Sequence, residues 1–299
     1  MDITYLPMAE AHGAEIRSGA MVYDMERDTW GRISAVLYRQ DGSSHRLACK
    51  AVFLCAGGVE TPRLLLNLGL ANSSDQVGRN YMAHVATQVW GTFDQDMRMN
   101  HGYPSAIISE DMLRPADADF AGGYLMQSLG VLPVTLTTSL VRGAGLWGEK
   151  LVRMLENYRH LGGIGINGEC LPHKENCLRL SSEKDAFGLR KAHVTFSYHD
   201  NENAMDRHAR DTMIRIWTAA GARDVFAVPR TAHTIGTCRM GENAARSVVD
   251  PYGRSHDIEN LWICDNSVFP SSIVANPALL IMALSLRSAE KFLSTGDAC

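Results

Sequence analysis

The sequence predicts an α/β fold with an inserted region of antiparallel sheet, and three observations support this prediction. First, the apolar run KAVFLCAGG ends in small residues and is followed directly by a helical pattern. Second, near the C terminus, the apolar segment NLWICD precedes a loop and the helical segment NPALLIMALSLRSAEKFL. Third, the region between them is rich in Gly, Thr, Ser and Met, and its short strand-like segments are typical of an antiparallel sheet.

The first part of the chain predicts a sheet followed by a helix. EIRSGAMVYDMERD and ISAVLYRQDGSSHRLACKAVFLCAGG contain short runs of β-branched and aromatic residues, and DGSS between two of these runs predicts a hairpin turn. KAVFLCAGG is nearly continuous in apolar residues, as expected for a strand buried on both faces. In VETPRLLLNLGL we expect Thr61 to cap a helix, Pro62 to lie in its first turn and three leucines to form one face.

The middle of the chain, residues 86–224, predicts a second domain inserted into the first. Its strand candidates are ATQVWGTF, VLPVTLTTSLV, CLRLSS and KAHVTFSY, which are broken by a few helices. NAMDRHARDTMIRIWTAAGA has apolar residues at helical spacing and ends at Gly221, and DVFAVP follows as a short strand. We therefore predict a discontinuous domain at 1–85 and 225–299, and an α+β domain with an antiparallel sheet at 86–224.

One glycine-rich stretch has the spacing of a dinucleotide-binding fingerprint. HLGGIGINGEC contains Gly163, Gly165 and Gly168 as GxGxxG, but that motif binds a pyrophosphate only between a strand and a helix. The preceding segment GEKLVRMLENYRHL has a helical pattern, and Pro172 blocks a helix after the glycines. We therefore expect a flexible connection at this position rather than a phosphate site.

Composition excludes several classes of function. The 299 residues are 45% hydrophobic and carry a net charge of -4, which gives no indication of a nucleic-acid partner. Seven cysteines without a CxxC pair fit a reducing compartment. The N-terminal segment lacks the apolar core of a signal peptide, and ALLIMALSL is too short to span a bilayer. We expect a soluble protein, with the cytoplasm as the favoured location. We also expect no metal site, since His233, Cys238 and His256 lack the spacing of a ligand set.

The C-terminal region carries the strongest indications of a ligand site. NLWICD predicts a buried strand that delivers Asp265 at its carboxyl end, which is the edge of an open α/β sheet where ligands bind. After the loop SVFPSSIVA, Asn276 is the expected N-cap and Pro277 the first residue of a helix. Because this helix is almost entirely apolar, we expect it to be buried. Its N terminus suits an anion or an electron-rich carbonyl.

Several of these segments together resemble a known family. HTIGTCRMG, SVVDPYGRSHDIENLWICDNSVFP and NPALLIMALSLRSAE are similar to the C-terminal signature of the glucose-methanol-choline (GMC) flavin oxidoreductases. AVFLCAGGVETPRLLLNLGL with QVGRNYMAH is similar to the central signature of that family. The resemblance covers most of 1–85 and 225–293 and is loose in between. It implies a partial doubly wound, Rossmann-like domain that holds FAD, with the inserted middle as the substrate domain.

The resemblance also implies two residues that act on an alcohol. They are His233, in AHTIGT, and Asn276, which precedes the final helix. Imidazole suits the removal of a hydroxyl proton near neutral pH while hydride leaves for the flavin N5, and a carboxamide orients the substrate oxygen. For His84, in NYMAH, we expect a structural role. The residues implied to contact the cofactor are Val22, Gly57, Gly58, Asp265, Ala275, Asn276 and Pro277.

We therefore expect an FAD-dependent oxidoreductase that oxidises the CH–OH group of a small-molecule alcohol, such as a sugar or a polyol. Two alternatives stay open: an FAD-containing lyase on the same scaffold, and an incomplete or non-catalytic half of a split enzyme. The motifs specify neither the alcohol nor the electron acceptor.

The family fingerprint GxGxxG does not occur in its expected place near residue 1. We therefore expect the chain to be the C-terminal portion of such an enzyme, with a partner polypeptide as one source of the ADP-binding unit. We expect this portion by itself to bind FAD poorly.

Overall fold

The computed structural model describes residues 2–116 and 118–295, and this part of the chain is mixed helix and sheet. The helices are α1 (Tyr5–Ala11), α2 (Gly57–Leu68), α3 (Pro133–Ala144), α4 (Gly148–Glu156), α5 (Asp200–Ala219) and α6 (Ala278–Ser294). The strands are β1 (Met21–Arg27), β2 (Ile33–Gln40), β3 (Ser43–Ala48), β4 (Val52–Leu54), β5 (Met82–Val85), β6 (Gln88–Thr92), β7 (Ile108–Ser109), β8 (Tyr124–Ser128), β9 (Leu161–Gly168), β10 (Cys177–Lys184), β11 (Arg190–Thr195), β12 (Arg223–Val228), β13 (Thr231–Ile235) and β14 (Leu261–Ile263).

A two-stranded parallel sheet joins segments from opposite ends of the chain. β14 pairs with β4, in a register that places Leu261 opposite Val52 and Ile263 opposite Leu54. Apolar side chains of both strands pack into one core with α2. A helix follows each strand, α2 after β4 and α6 after β14, so the prediction of an α/β fold is confirmed. The domain limits 1–85 and 225–299 stay a prediction.

The N-terminal strands form a separate antiparallel sheet in the order β1-β2-β3. β2 and β3 are joined by Asp41 and Gly42, which have φ values of 50° and 78°. Two consecutive left-handed residues are the geometry of a type I′ turn, which matches the twist of the strands it connects. The hairpin predicted at DGSS is therefore confirmed.

The largest sheet is antiparallel and has seven strands. Its main order is β12-β6-β9-β5-β13, and β7 and β8 branch from β9. It includes β5 and β13, which lie outside the limits 86–224 predicted for the inserted domain. The strands predicted at ATQVWGTF and DVFAVP are β6 and β12, and the predicted helix NAMDRHARDTMIRIWTAAGA is α5. CLRLSS and KAHVTFSY form β10 and β11, which pair in a hairpin of their own.

The glycine-rich stretch HLGGIGINGEC is a central strand, so the expectation of a flexible connection was wrong. Its residues form β9, which pairs with β6 along one edge and β8 along the other. The helix predicted before it is present as α4. A Cβ atom at Gly163 would lie 2.6 Å from the ring of Trp90, and one at Gly168 would lie 2.6 Å from the sulfur of Met205. The glycines therefore permit close packing across the sheet.

The segment VLPVTLTTSLV was predicted as a strand and is instead the helix α3. Pro133 occupies the first helical position, and Leu136 and Leu140 are buried four residues apart. Hydroxyl groups of the polar residues bond back to the helix backbone, as Thr137 Oγ1 does to the carbonyl of Pro133 at 2.7 Å. β-Branched residues favoured the strand prediction, but burial of one helical face decides the conformation.

Helix α2 begins at Gly57, five residues before the proline that was expected in its first turn. Pro62 lies inside the helix and has no N–H to give to the carbonyl of Gly58. The hydroxyl of Thr237 donates to that carbonyl at 2.9 Å instead. Thr61 does not cap the helix: its hydroxyl accepts from the N–H of Ala56 at 3.1 Å. A side chain from the C-terminal region therefore satisfies the backbone of α2.

Helix α6 was expected to be buried with Asn276 as its cap, and both expectations were wrong. Pro277 occupies the N-cap position, and no side chain caps the helix. Ser288 is the buried residue among those described in α6. Leu279, Leu286 and Leu293 are exposed by 75%, 54% and 67%. Their apolar side chains have no covering element within the described chain. None of the described helices has the length and apolarity required to cross a bilayer.

We predict that Thr237→Val destabilises the fold by about 1–3 kcal/mol, because it leaves the buried carbonyl of Gly58 without a donor. Valine keeps the β-branched shape, so the change removes the hydroxyl alone. Urea unfolding followed by circular dichroism measures the loss, and Thr29→Val, at an exposed residue, is the matched control. Equal stability of the two variants would contradict this account.

Candidate active site

His233 lies on β13 at a β-bulge. Ala232 is opposite His84 and Thr234 is opposite Ala83, so His233 is an extra residue in the register with β5. Its φ is 54°, in the left-handed region that few residues other than glycine adopt. A non-glycine residue in this conformation costs roughly 1–2 kcal/mol. The bulge turns the imidazole out of the strand's regular alternation.

A chain of hydrogen bonds runs through His233 and links three separate parts of the fold. Asn167, on β9, donates from Nδ2 to Oδ1 of Asn276 at 3.2 Å. Asn276 Nδ2 lies 3.2 Å from His233 Nε2, across 43 positions of sequence. His233 Nδ1 lies 3.0 Å from Nδ1 of His84, which is fully buried. The two predicted catalytic residues are therefore in direct contact.

The direction of these hydrogen bonds assigns the proton positions. Because Asn276 Nδ2 donates, His233 Nε2 accepts and carries no proton. The proton of neutral His233 is then on Nδ1, which donates to His84. Burial, and then repulsion from His233, lower the pKa of His84 to about 4, so this ring is neutral at pH 7. Partial burial, and then the charge of Arg230, also lower the pKa of His233. Nε2 of His233 is therefore available as a base.

A cavity of about 120 Å³ adjoins this pair. Its polar lining includes carboxamides of Gln88, Gln127 and Asn167 together with Arg230. Gln88 Oε1 is buried, and among the described residues it has no hydrogen-bond partner. The full lining is Ala86, Gln88, Gln127, Leu129, Gly165, Ile166, Asn167, Arg230, Ala232, His233 and Asn276. A small polar molecule in this cavity would contact both His233 and Asn276.

A second group of predicted residues lies where β4 and β14 end. Asp265 Oδ2 accepts from the N–H of Gly57 at 2.8 Å and from the hydroxyl of Thr61 at 2.5 Å, while Oδ1 accepts from the N–H of Ser267 at 2.8 Å. Asp265 as a whole is 6% exposed. It therefore ties the start of α2 to the end of β14, and its contact with a cofactor stays a prediction.

Asn266 connects this second group to the strand that carries His233. Its Oδ1 accepts from the N–H of Gly58 at 3.0 Å, and its Nδ2 donates to the carbonyl of Thr234. A single carboxamide thus holds the start of α2 beside the residue that follows His233. Gly57 has a φ of 87°, which a residue with a side chain would adopt only under strain.

The start of α6 directly follows Asn276. Asn276 is exposed, Ala275 is half-buried and Pro277 is buried. The first turn contains no acidic residue, and no side chain caps it. Its unpaired N–H groups and the positive end of its dipole therefore favour an electron-rich ligand next to Asn276. Val22 is apart from the helix start: it lies on β1 and packs against the core that β4, β14 and α2 share.

The sequence did not identify several residues of this site. His84 was expected to have a structural role, yet its ring contacts the candidate base directly. Asn167 belongs to the glycine-rich stretch that was interpreted as a connection. Asn266 directly follows a predicted site residue and could have been found on that ground, whereas Arg230 has no motif that distinguishes it.

One group of metal-ligand side chains occurs outside this site. Nitrogen or oxygen atoms of His173, Glu175 and His199 lie within 4.8 Å of one another. The two imidazoles are stacked, with centroids 3.8 Å apart and planes inclined by 20°. Since the lone pair of each nitrogen lies in its ring plane, stacked rings do not direct both lone pairs at one ion. The arrangement does not resemble a coordination site.

The lowered pKa of His84 predicts that the stability of the fold depends on pH. Its pKa is about 4 in the folded state and ordinarily 6.5, so the unfolded chain binds the proton more tightly. The stability that the neutral ring contributes is present above pH 6.5 and is lost as the pH falls toward 4, by up to about 3 kcal/mol. We expect His84→Gln to flatten this part of the profile in urea unfolding. His101→Gln, at an exposed histidine, should leave the slope unchanged; an equal effect of both variants would count against the assignment.

Comparisons with known proteins identify a family. Family models described as GMC oxidoreductase match residues 1–86 and 172–285. The chain is 32% identical over 303 residues to the fructose dehydrogenase large subunit of Gluconobacter japonicus, covering 96% of this chain and 55% of that protein. It is 30% identical over 313 residues to the 2-methyl-1,2-propanediol dehydrogenase of Mycolicibacterium austroafricanum, covering 96% of this chain and 56% of that protein.

A solved structure shows the same fold. The pyridoxine 4-oxidase from Mesorbium loti matches with a TM-score of 0.70 and 15% identity, covering 92% of this chain and 57% of that one. The chain spans about half the length of the curated relatives it matches.

Proposed function

Since the chain belongs to the GMC oxidoreductase family, we propose that it carries the catalytic face of an FAD-dependent oxidoreductase that converts an alcohol into a carbonyl compound. The observation that carries this proposal is the contact of His233 Nε2 with Asn276 Nδ2 beside a polar cavity. The named relatives include dehydrogenases and an oxidase of hydroxyl compounds, which supports the same reaction class.

His233 is the proposed base. Its Nε2 carries no proton, and the lowered pKa keeps it unprotonated at neutral pH. A substrate hydroxyl that replaces the amide of Asn276 at this nitrogen can give up its proton there. His84 accepts a hydrogen bond from the Nδ1–H of His233 and thereby fixes the tautomer, so its role is one of positioning. Asn276 orients the substrate oxygen through its carboxamide, which Asn167 holds in place.

The described residues fit FAD as the cofactor. The uncapped start of α6 offers N–H groups and a positive dipole end to the electron-rich pyrimidine part of a flavin. Contact of Gly57 and Gly58 with the cofactor stays part of the proposal, since the positions of their missing side chains lie against Asn266 and Thr234. When bound, FAD supplies the hydride acceptor that alcohol oxidation requires.

We also propose that an ADP-binding unit, on the same chain or on a partner polypeptide, completes the FAD domain. The parallel sheet has two strands in the described chain, and the apolar side chains of α6 and Phe53 near it are exposed. A further strand and helix would cover this surface. The fructose dehydrogenase relative is named as a large subunit, which is consistent with assembly with other polypeptides.

We expect His233→Ala to slow flavin reduction by about 10²- to 10⁴-fold, because it removes a positioned base, while FAD content is unchanged. Anaerobic stopped-flow absorbance with a panel of alcohols measures the reduction rate in the FAD-loaded protein that includes its ADP-binding unit, and His101→Ala is the matched control. In the unmodified protein, the rate should rise with pH to a plateau through an apparent pKa below 6.5. A flavin that no alcohol bleaches would favour a lyase on the same scaffold.

We expect the chain alone to bind FAD weakly, and binding to become stoichiometric when an ADP-binding unit containing GxGxxG is supplied. The reason is that the described residues are proposed to hold the flavin end of the cofactor, whereas a GxGxxG segment between a strand and a helix would hold the pyrophosphate. Flavin fluorescence quenching by the chain with and without the added unit measures this. Copurification of stoichiometric FAD with the isolated chain would contradict the expectation.

A further inference from the structure

Arg230 lies at the junction of three cavities. It lines the small cavity beside His233 and Asn276, a groove of about 680 Å³, and a third cavity of about 430 Å³. The large groove lies between α3 and the turn that joins β12 to β13. A substrate that reacts at His233 and extends into the groove would therefore pass Arg230.

The large groove is cationic. Arg142 and Arg230 both line it, and its lining contains no carboxylate. Within 2–116 and 118–295, neither guanidinium forms a salt bridge. The acid nearest to Arg230 along these cavities is Asp206, which lines the third one. Its carboxylate is already engaged with the hydroxyl of Thr87 and lies 3.6 Å from Arg210.

The small cavity presents hydrogen-bonding groups in addition to this charge. Gln88 is 3% exposed, and its Oε1 has no donor among the described residues. A buried acceptor without a donor is unfavourable, and an O–H group of an occupant would satisfy it. Gln127 and Asn167 line the same cavity. The lining therefore suits a substrate with more than one hydroxyl.

We propose that Arg230 binds an oxyanion on the substrate, and that the alcohol oxidised at His233 is one end of a polyhydroxylated chain whose other end carries a carboxylate or a phosphate. The proposal rests on the function proposed above and adds the substrate class. Guanidinium groups bind both oxyanions through charge-assisted hydrogen bonds. Arg142, farther along the groove, adds to the attraction, and the cavity carboxamides hold the intervening hydroxyls.

Titration calorimetry with the FAD-loaded protein tests the proposal on three related ligands. Gluconate carries a carboxylate, glucose 6-phosphate carries a phosphate, and glucose carries neither. We expect at least one of the two anions to bind about 10- to 100-fold more tightly than glucose, and Arg230→Met to remove this advantage. Whichever anion is favoured identifies the oxyanion. Arg27→Met, on β1 and away from the groove, is the matched control.

Two results would overturn the proposal: equal binding of all three ligands, or an oxyanion preference that survives in Arg230→Met. Flavin reduction separates this outcome from failure of the proposed function. If neutral alcohols reduce the flavin but the anions gain no affinity through Arg230, the oxidoreductase stands and the substrate class is wrong. If an anion binds through Arg230 but no alcohol, anionic or neutral, reduces the flavin, the oxidoreductase assignment fails instead.

Discussion

The contact between the Asn276 amide and the His233 imidazole is the constraint on which the rest of the site depends. It joins the strand β13 to the start of helix α6, and Asn167 on β9 holds the amide from its other side. Each hydrogen bond in this chain runs in one direction, so the protons are ordered and Nε2 of His233 carries no proton. The basicity of the site is therefore a property of the network rather than of one histidine.

The backbone around the base is held in a conformation that is unfavourable locally. His233, Gly236 and Thr237 all have positive φ values, and a β-branched threonine at 92° is rare. Surrounding contacts hold the segment: Asn266 bonds the carbonyl of Thr234, and the Thr237 hydroxyl satisfies the carbonyl that Pro62 leaves free in α2. Strain of this kind persists only when several independent interactions determine the conformation.

Two regions meet at the site and differ in composition. The proposed cofactor end contains small residues, an uncapped helix start and a carboxylate already bonded to the protein. The substrate end is built from carboxamides and arginine side chains on an antiparallel sheet. This division separates the chemistry common to the family from selection of the particular alcohol, since changes in the second region leave the first intact.

Residue patterns in the sequence were enough to predict the parallel α/β pair, the hairpin at DGSS and the helices α4 and α5. The family motifs were enough to predict that His233 and Asn276 converge. Tertiary structure decided the rest. HLGGIGINGEC forms a central strand because it pairs with β6 and β8, and Trp90 and Met205 leave no space for a Cβ atom at Gly163 and Gly168. Helix α3 is helical because one of its faces is buried. His84, Asn167 and Arg230 join the site through contacts with distant elements. Periodicity reports which face of a segment is apolar, but it contains no information about what that face or a polar side chain will meet.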